Sequence, residues 1–280
     1  MFDTSFIIEP FKFNFMINAF IISIIISVPT SLLSCFLVLK GWALLGDAIS
    51  HAVLPGIILA FILNLPLLIG AFLSGLSCAV LTGYISDNCR VKSDTIMGVV
   101  FSGFFGIGII LYYYIDTTLH LDHILFGNLL GVENSEIKSV LPLSIIVSSI
   151  IILKWKDFFL YSFDLVQAKA SGLKIKVIHY ILLSMISLTV VITLSTTGLI
   201  LAVGLLISPG AISFLIVRKF SQMLWISIII CIFSTCFGTY LSFFIDSAPA
   251  PTIILVLTII FILAFMKKQL FNSKKTNYFG

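Results

Sequence analysis

From Phe13 through Ile85 the chain carries only two charged residues, Lys40 and Asp47, and a single histidine, His51. About 20 consecutive apolar residues suffice for a helix to cross the hydrocarbon core of a bilayer. Inside that core every backbone N–H and C=O must be satisfied by the protein itself, which leaves helices and closed barrels as the only spanning structures. Barrel strands alternate polar and apolar residues over about ten positions. The runs here are continuous and twice that long, so they select helices.

The same character extends over the whole chain. Of its 280 residues 60% are hydrophobic and 10% charged, with a mean hydropathy of +1.20, against about 25% charged residues in soluble domains. Apolar windows fall near 14–39, 43–63, 66–85, 95–115, 139–153, 177–197, 199–217, 221–244 and 250–267. The window at 139–153 is short, and the first suits a tilted or partly interfacial helix. The reading is an all-α polytopic membrane protein, a bundle of eight or nine transmembrane helices, with residues 1–280 as one transmembrane domain. Asp3 and Glu9 stand where a signal peptide has its basic segment, and the first apolar run is too long for a cleaved core, so it reads as a retained span. Clustered basic residues with polar surface between them are missing, which excludes nucleic acid as a partner. The five cysteines form no CxxC pair and read as small apolar side chains.

Basic residues set the orientation. Arg90 and Lys92, Lys154 through Lys176, Arg218 and Lys219, and Lys267 through Lys275 all fall in alternate connections, which places them in the cytoplasm. Nine crossings then put Lys40 inside as well, leaving Lys12 and Lys138 as the exceptions. Asp3, Glu9, Asp116, Asp122, Glu133, Glu136 and Asp246 fall outside.

A carboxylate at membrane depth costs about 2.5–3.5 kcal/mol on insertion scales and marks a functional site by default. Asp47 and His51, four residues apart, share one helical face. A carboxylate oxygen beside an imidazole nitrogen suits a first-row divalent metal such as manganese or iron, and zinc less decisively. Two ligands are fewer than such an ion takes, so a second chain, backbone carbonyls or water must complete the set. Pro55 lacks an N–H, which takes from the His51 carbonyl its usual helical donor and offers another oxygen. Two alternatives stand beside this reading: Asp47 and His51 satisfy each other, or Asp47 pairs with Lys40. The topology sets Asp47 nearer the inner surface than the midplane.

Other segments carry weaker signals. His120, Asp122 and His123 form a second candidate metal handhold, equally readable as a polar loop. They lie in an outer segment, 116–138, too short to span and suited to a re-entrant or interfacial helix on which a delivery protein docks. His179, beside lysines at the start of a span, reads as an interfacial anchor. Small residues recur every fourth position at Ala71, Gly75, Ala79 and Gly83, and again at Gly98, Ser102 and Gly106. Such stripes let helices approach closely in lipid, within one bundle or between subunits. Residues 164–173 form a short amphipathic cytoplasmic element ended by Gly172, suited to a helix C-cap. The basic segment 268–280 reads as a disordered tail.

No G-x-x-x-x-G-K-[ST] run is present, so the chain has no Walker-type ATP site of its own. Gly-x-Ser-x-Gly and H-E-x-x-H are missing too. Ser50 and His51 are adjacent in a helix and do not face each other, which argues against a nucleophile–base dyad.

Five segments carry a family resemblance: Gly46-Asp47-Ala48-Ile49-Ser50-His51-Ala52-Val53-Leu54-Pro55-Gly56, the glycine-rich run Asp94 to Gly108, His120 through Gly131, Asp164 through Leu173, and Gly198 through Ala211. In order and over nearly the whole chain, they resemble the membrane permeases of bacterial metal-ion ABC importers, in particular the iron/manganese (chelated-iron) branch. The Ser247-Ala248-Pro249-Ala250-Pro251 run departs from it, being proline-rich where relatives carry glycine. The resemblance implies two permeases, a homodimer or a pair of paralogues, with two cytoplasmic ABC ATPase subunits and an extracytoplasmic metal-binding protein, in the bacterial cytoplasmic (inner) membrane. It implies that Asp47 and His51 coordinate the passing ion. It also implies that 164–173, with Asp164, Ala168, Ser171, Gly172 and Leu173, is the coupling helix seated in the ATPase. Mn2+, Fe2+ or Zn2+ would be transported substrates, with no permanent cofactor and no enzymatic activity in this subunit. The alternative, a secondary ion-coupled metal transporter, calls for more buried ionisable groups in corresponding halves. A non-transporting membrane scaffold is the third class.

Overall fold

The computed structural model describes residues 9–114, 127 and 129–276. Among them the regular elements are all helical. They are α1 (Asn14–Lys40), α2 (Leu45–Ile62), α3 (Leu67–Asn88), α4 (Ser93–Tyr114), α5 (Asn134–Phe163), the short α6 (Leu165–Ala170), α7 (Ile175–Thr197), α8 (Leu199–Ile216), α9 (Phe220–Ile245) and α10 (Pro249–Thr276). Every one but α6 is long and apolar enough to cross a membrane, giving nine candidate spans among the described residues.

Three expectations about the spans change. The fifth is not short: α5 runs 30 residues. Beyond its apolar window the helix continues through Lys154 and Asp157, an i, i+3 ion pair at 3.5 Å. Residues 134–138 therefore belong to this span and not to the outer segment. Of the rest of that segment, Leu129–Gly131 is a 3-10 turn, and His120, Asp122 and His123 lie outside the described residues. The last helix continues past Lys268 to Thr276, where Lys, Gln and Leu are good helix formers, so the tail begins later than expected. The first span is no interfacial helix. Ser23, Ser27, Thr30, Ser31 and Ser34 of α1 are all buried, and α1 lies between α5, α8 and α9.

Lipid tails are as apolar as leucine, so helices in a bilayer associate by close packing and interhelical hydrogen bonds. The tightest crossing joins α2 to α3. A Cβ on Gly56 would strike the Gly70 carbonyl, and one on Gly70 would strike that of Gly56. The first small-residue stripe packs within the bundle: Gly75 meets Ile49 and Ser187, and Gly83 meets His179. The second does not. A Cβ added at Gly98 or Gly106 of α4 would meet nothing within 4 Å, and Ser102 is exposed. The α4 stripe has no partner within the chain's described residues.

Candidate functional site

The site begins with how α1 stops. Gly41 takes a left-handed conformation (φ 69°), and the N–H groups of Gly41 and Trp42 close on the carbonyls of Val38 and Leu37, a Schellman cap. Leu45 N–H donates to the Trp42 carbonyl at 3.0 Å and α2 starts at once. The turn is recessed: the Trp42 ring packs edge-on against His179, the fifth residue of α7, at 5.6 Å. Helix α2 thus starts inside the bundle.

That recess sets the depth of the ionisable pair. The His51 ring lies 5.5 Å from Phe101 and 5.2 Å from Phe105. These are the ninth and thirteenth of the 22 residues of α4, or about 12 and 18 Å along a helix of about 33 Å. His51 is therefore level with the middle of α4. Asp47, in the first turn of α2, lies one turn nearer the end that holds Lys40, the side toward which the topology sets it.

Different flanks of α2 meet different neighbours. Gly46 abuts Leu206 of α8, and Ile49 and Val53 abut Gly75 of α3. The flank with Asp47 and His51 continues to Leu54 and Pro55, which close on Gly108 of α4. Beside Pro55, Ser74 of α3 donates to the Ala52 carbonyl at 2.6 Å.

Asp47 Oδ1 and His51 Nε2 stand 3.5 Å apart, a contact of charge type and longer than an ordinary N–H···O bond. The side chains are 32% and 27% exposed. His51 Nδ1 is buried without a hydrogen-bond partner. The two residues do not satisfy each other. Nor does Lys40 pair with Asp47: its Nζ lies 3.9 Å from the centre of the Tyr161 ring and 5.2 Å from that of Trp42. One oxygen donor and one nitrogen donor therefore stand side by side on two partly exposed side chains. No group of three or more His, Cys, Asp or Glu side chains gathers among the described residues, so among them the pair stands without a third such ligand.

The 164–173 element is built as its spacing predicts. Asp164 Oδ1 accepts from the N–H groups of Val166 and Gln167 at 2.9 and 3.0 Å, capping α6. At the other end Ser171 is the C-cap. Gly172 (φ 76°) and Leu173 donate to the carbonyls of Lys169 and Ala168, another Schellman closure. Ala168 is fully buried, anchoring the element, while Phe163, Leu165 and Val166 are exposed.

His179 is not an interfacial anchor. It is buried, and its Nδ1 lies 2.6 Å from the Tyr161 hydroxyl. Phe101 and Phe105, which flank His51, and the Tyr161–His179 pair are the contacts that sequence reasoning did not reach. The i, i+4 spacing of the two phenylalanines was the one available signal.

Known proteins resemble this chain over nearly its full length. The chelated iron transport system membrane protein YfeD of Yersinia pestis is 49% identical over 262 residues, covering 94% of this chain and 88% of YfeD. The manganese transport system membrane protein MntB of Synechocystis is 42% identical, covering 93% of this chain and 85% of MntB. Among solved structures, PsaBC from Streptococcus pneumoniae, in complex with Fab, superposes with a TM-score of 0.83 at 33% identity, covering 94% of this chain and 95% of that one. Residues 12–268 match the ABC 3 transport family, and with the nine apolar helices they establish the chain as a multi-pass membrane protein of that family.

Proposed function

We propose that the chain is the permease subunit of an ATP-driven importer of divalent metal ions, Mn2+ and Fe2+ foremost and Zn2+ as a third candidate substrate. The observation that carries this reading is the Asp47–His51 pair: two unlike donors on a membrane-spanning helix, partly exposed and unsatisfied by each other. A partly exposed carboxylate on such a helix cannot face hydrocarbon without large cost. It requires a wet conduit or another subunit. The flanking α4 stripe of Gly98, Ser102 and Gly106, open on this chain, suits a second permease, whose own Asp47 and His51 equivalents would complete the coordination. Whether that partner is a copy or a paralogue, the chemistry is the same.

The basic ends of the helices face the cytoplasm of a bacterial inner membrane in this reading. There α6 presents Phe163, Leu165 and Val166 to an ABC ATPase subunit. An extracytoplasmic metal-binding protein delivers the ion at the opposite face. The ion exchanges water for the Asp47 carboxylate and the His51 imidazole, Asp47 offsets part of its charge, and movement of α6 reopens the bundle inward. The names of YfeD and MntB, iron and manganese transport proteins, support the choice of substrate.

The deciding experiment is Asp47→Asn in the assembled transporter, with radiolabelled Mn2+ uptake measured in competition with Fe2+ and Zn2+. Uptake should fall at least about 100-fold, beyond the 10–100-fold typical of losing a supporting contact at a metal site. Assembly with the ATPase should be unchanged. Native uptake by this variant would remove the pair from the transport path.

A further inference from the structure

We propose that Tyr161, His179, Lys40 and Trp42 form a side-chain link that carries displacement of α6 to the start of α2, and so to Asp47. The proposal rests on the transport reading above, because it takes α6 as the segment the ATPase moves.

The link starts at both ends of α6. Tyr161 lies near the end of α5, three residues before the Asp164 cap, and His179 lies just inside α7. Their 2.6 Å hydrogen bond therefore ties together the two long helices between which α6 is strung. Both side chains are buried, at 3% and 7% exposure. The next step reaches α1 and its turn. Lys40 Nζ sits over the same Tyr161 ring at 3.9 Å, and Trp42 packs edge-on against the same His179 ring at 5.6 Å. The last step is backbone: the Trp42 carbonyl accepts from Leu45 N–H, and Leu45 is the first residue of α2, two before Asp47.

The composition of the cluster argues against a role in stability alone. Lys40 is one of only two charges in the first apolar stretch, and no carboxylate lies within ion-pairing distance of it among the described residues. His179 Nε2 is buried with no partner and packs on Gly83. Apolar side chains of like volume would hold the turn without these costs. A hydroxyl–imidazole bond and a cation resting on an aromatic face are contacts with discrete made and unmade states, which coupling between distant sites requires. Tyr161, His179, Lys40 and Trp42 act as positioning residues in this scheme.

The test uses the full transporter in proteoliposomes, reading Mn2+ imported per ATP hydrolysed. Tyr161→Phe keeps the ring under Lys40 and removes only the hydroxyl. Amount assembled and basal ATP hydrolysis should stay native and the melting temperature should fall only slightly, whereas Mn2+ imported per ATP should fall about 5-fold, within the range of mutations along coupling networks. A merely structural bond would cost the same stability and leave the ratio alone. His179→Phe should behave like Tyr161→Phe, and the double variant should be no worse than either, because both remove one bond. A native ratio in Tyr161→Phe, or multiplied losses in the double variant, would overturn the link. Asp164→Lys, which unseats α6 itself, separates the two levels. If it uncouples and Tyr161→Phe does not, the transport reading stands and the link falls; if neither uncouples, both fall.

Discussion

Along the seam between α1 and α9 polar groups answer one another, whereas on the α4-facing flank of α2 they do not. In the seam Thr30 donates to the Ile26 carbonyl of its own helix at 2.7 Å, and Thr235 to that of Cys231 at 3.0 Å. Across it, Ser27 and Thr235 hydroxyls meet at 3.0 Å, Cys35 donates to Ser227 at 3.1 Å, and Ser227 reaches the Ser31 carbonyl at 3.2 Å. All these side chains are buried. A hydroxyl can fall back on the carbonyl one turn earlier, so it crosses a membrane at little cost and binds neighbouring helices together. A carboxylate has no such outlet, because it carries no hydrogen to donate to a carbonyl. Asp47 is therefore left with a histidine at 3.5 Å and partial exposure. Polarity at depth is glue in one region and an open valence in the other.

The comparison breaks most visibly if the two chemistries are exchanged. Thr235→Asp places a carboxylate where Asp47 has none of its conduit. We expect insertion and folding to lose about 2.5–3.5 kcal/mol, the cost of an acid at a helix centre. Asp47→Leu should run the other way and leave the membrane-inserted amount equal or higher, with transport gone. Thermal unfolding of the purified chain and its membrane-inserted yield check both. Equal tolerance of an acid at 47 and 235 would show that the α2 flank is not special.

A gentler change sharpens the α2 side alone. Pro55→Ala restores the N–H that the His51 carbonyl lacks and relaxes the contact of the proline ring with Gly108. Helix α2 should become more regular and the chain no less stable. Metal uptake should drop several-fold, because a site misplaced by about 1 Å loses the geometry that its ligands need. Uptake at native rate would mean that neither the carbonyl nor the local bend matters to the ion.

Much of this division is legible from letters alone, and the reason is physical. Hydropathy and charge are local quantities, so the spans and the isolation of Asp47 and His51 follow from Phe13–Ile85 without knowledge of any contact. Cap chemistry is local too, and Asp164 and Gly172 end α6 as their residue types predict. Depth is not local. The placement of His51 beside the middle of α4 depends on the recess of the α1–α2 turn, which depends on Trp42 packing on His179 from a helix more than a hundred residues away in sequence. The same tertiary fact turns His179 from a surface anchor into a buried partner of Tyr161, and removes Lys40 from Asp47. The two small-residue stripes read identically as sequence, yet among the described residues only the one on α3 has neighbours, because nothing in a stripe records which helix will cover it.

The smallest effect belongs to the seam. Ser27→Ala removes the Thr235 contact across the α1–α9 interface and keeps helix shape and volume nearly the same. Thr235 retains its own-helix bonds to the Cys231 and Ile232 carbonyls, so no new unsatisfied hydroxyl is created. Interhelical hydrogen bonds in membrane proteins average about 0.6 kcal/mol. Ser27→Ala should therefore lower stability by about that amount and leave uptake unaltered, since no ion meets this interface. A loss of transport without a loss of stability would mean that the hydroxyl row also touches the ion's route, and the separation of glue from conduit would have to be redrawn along α1.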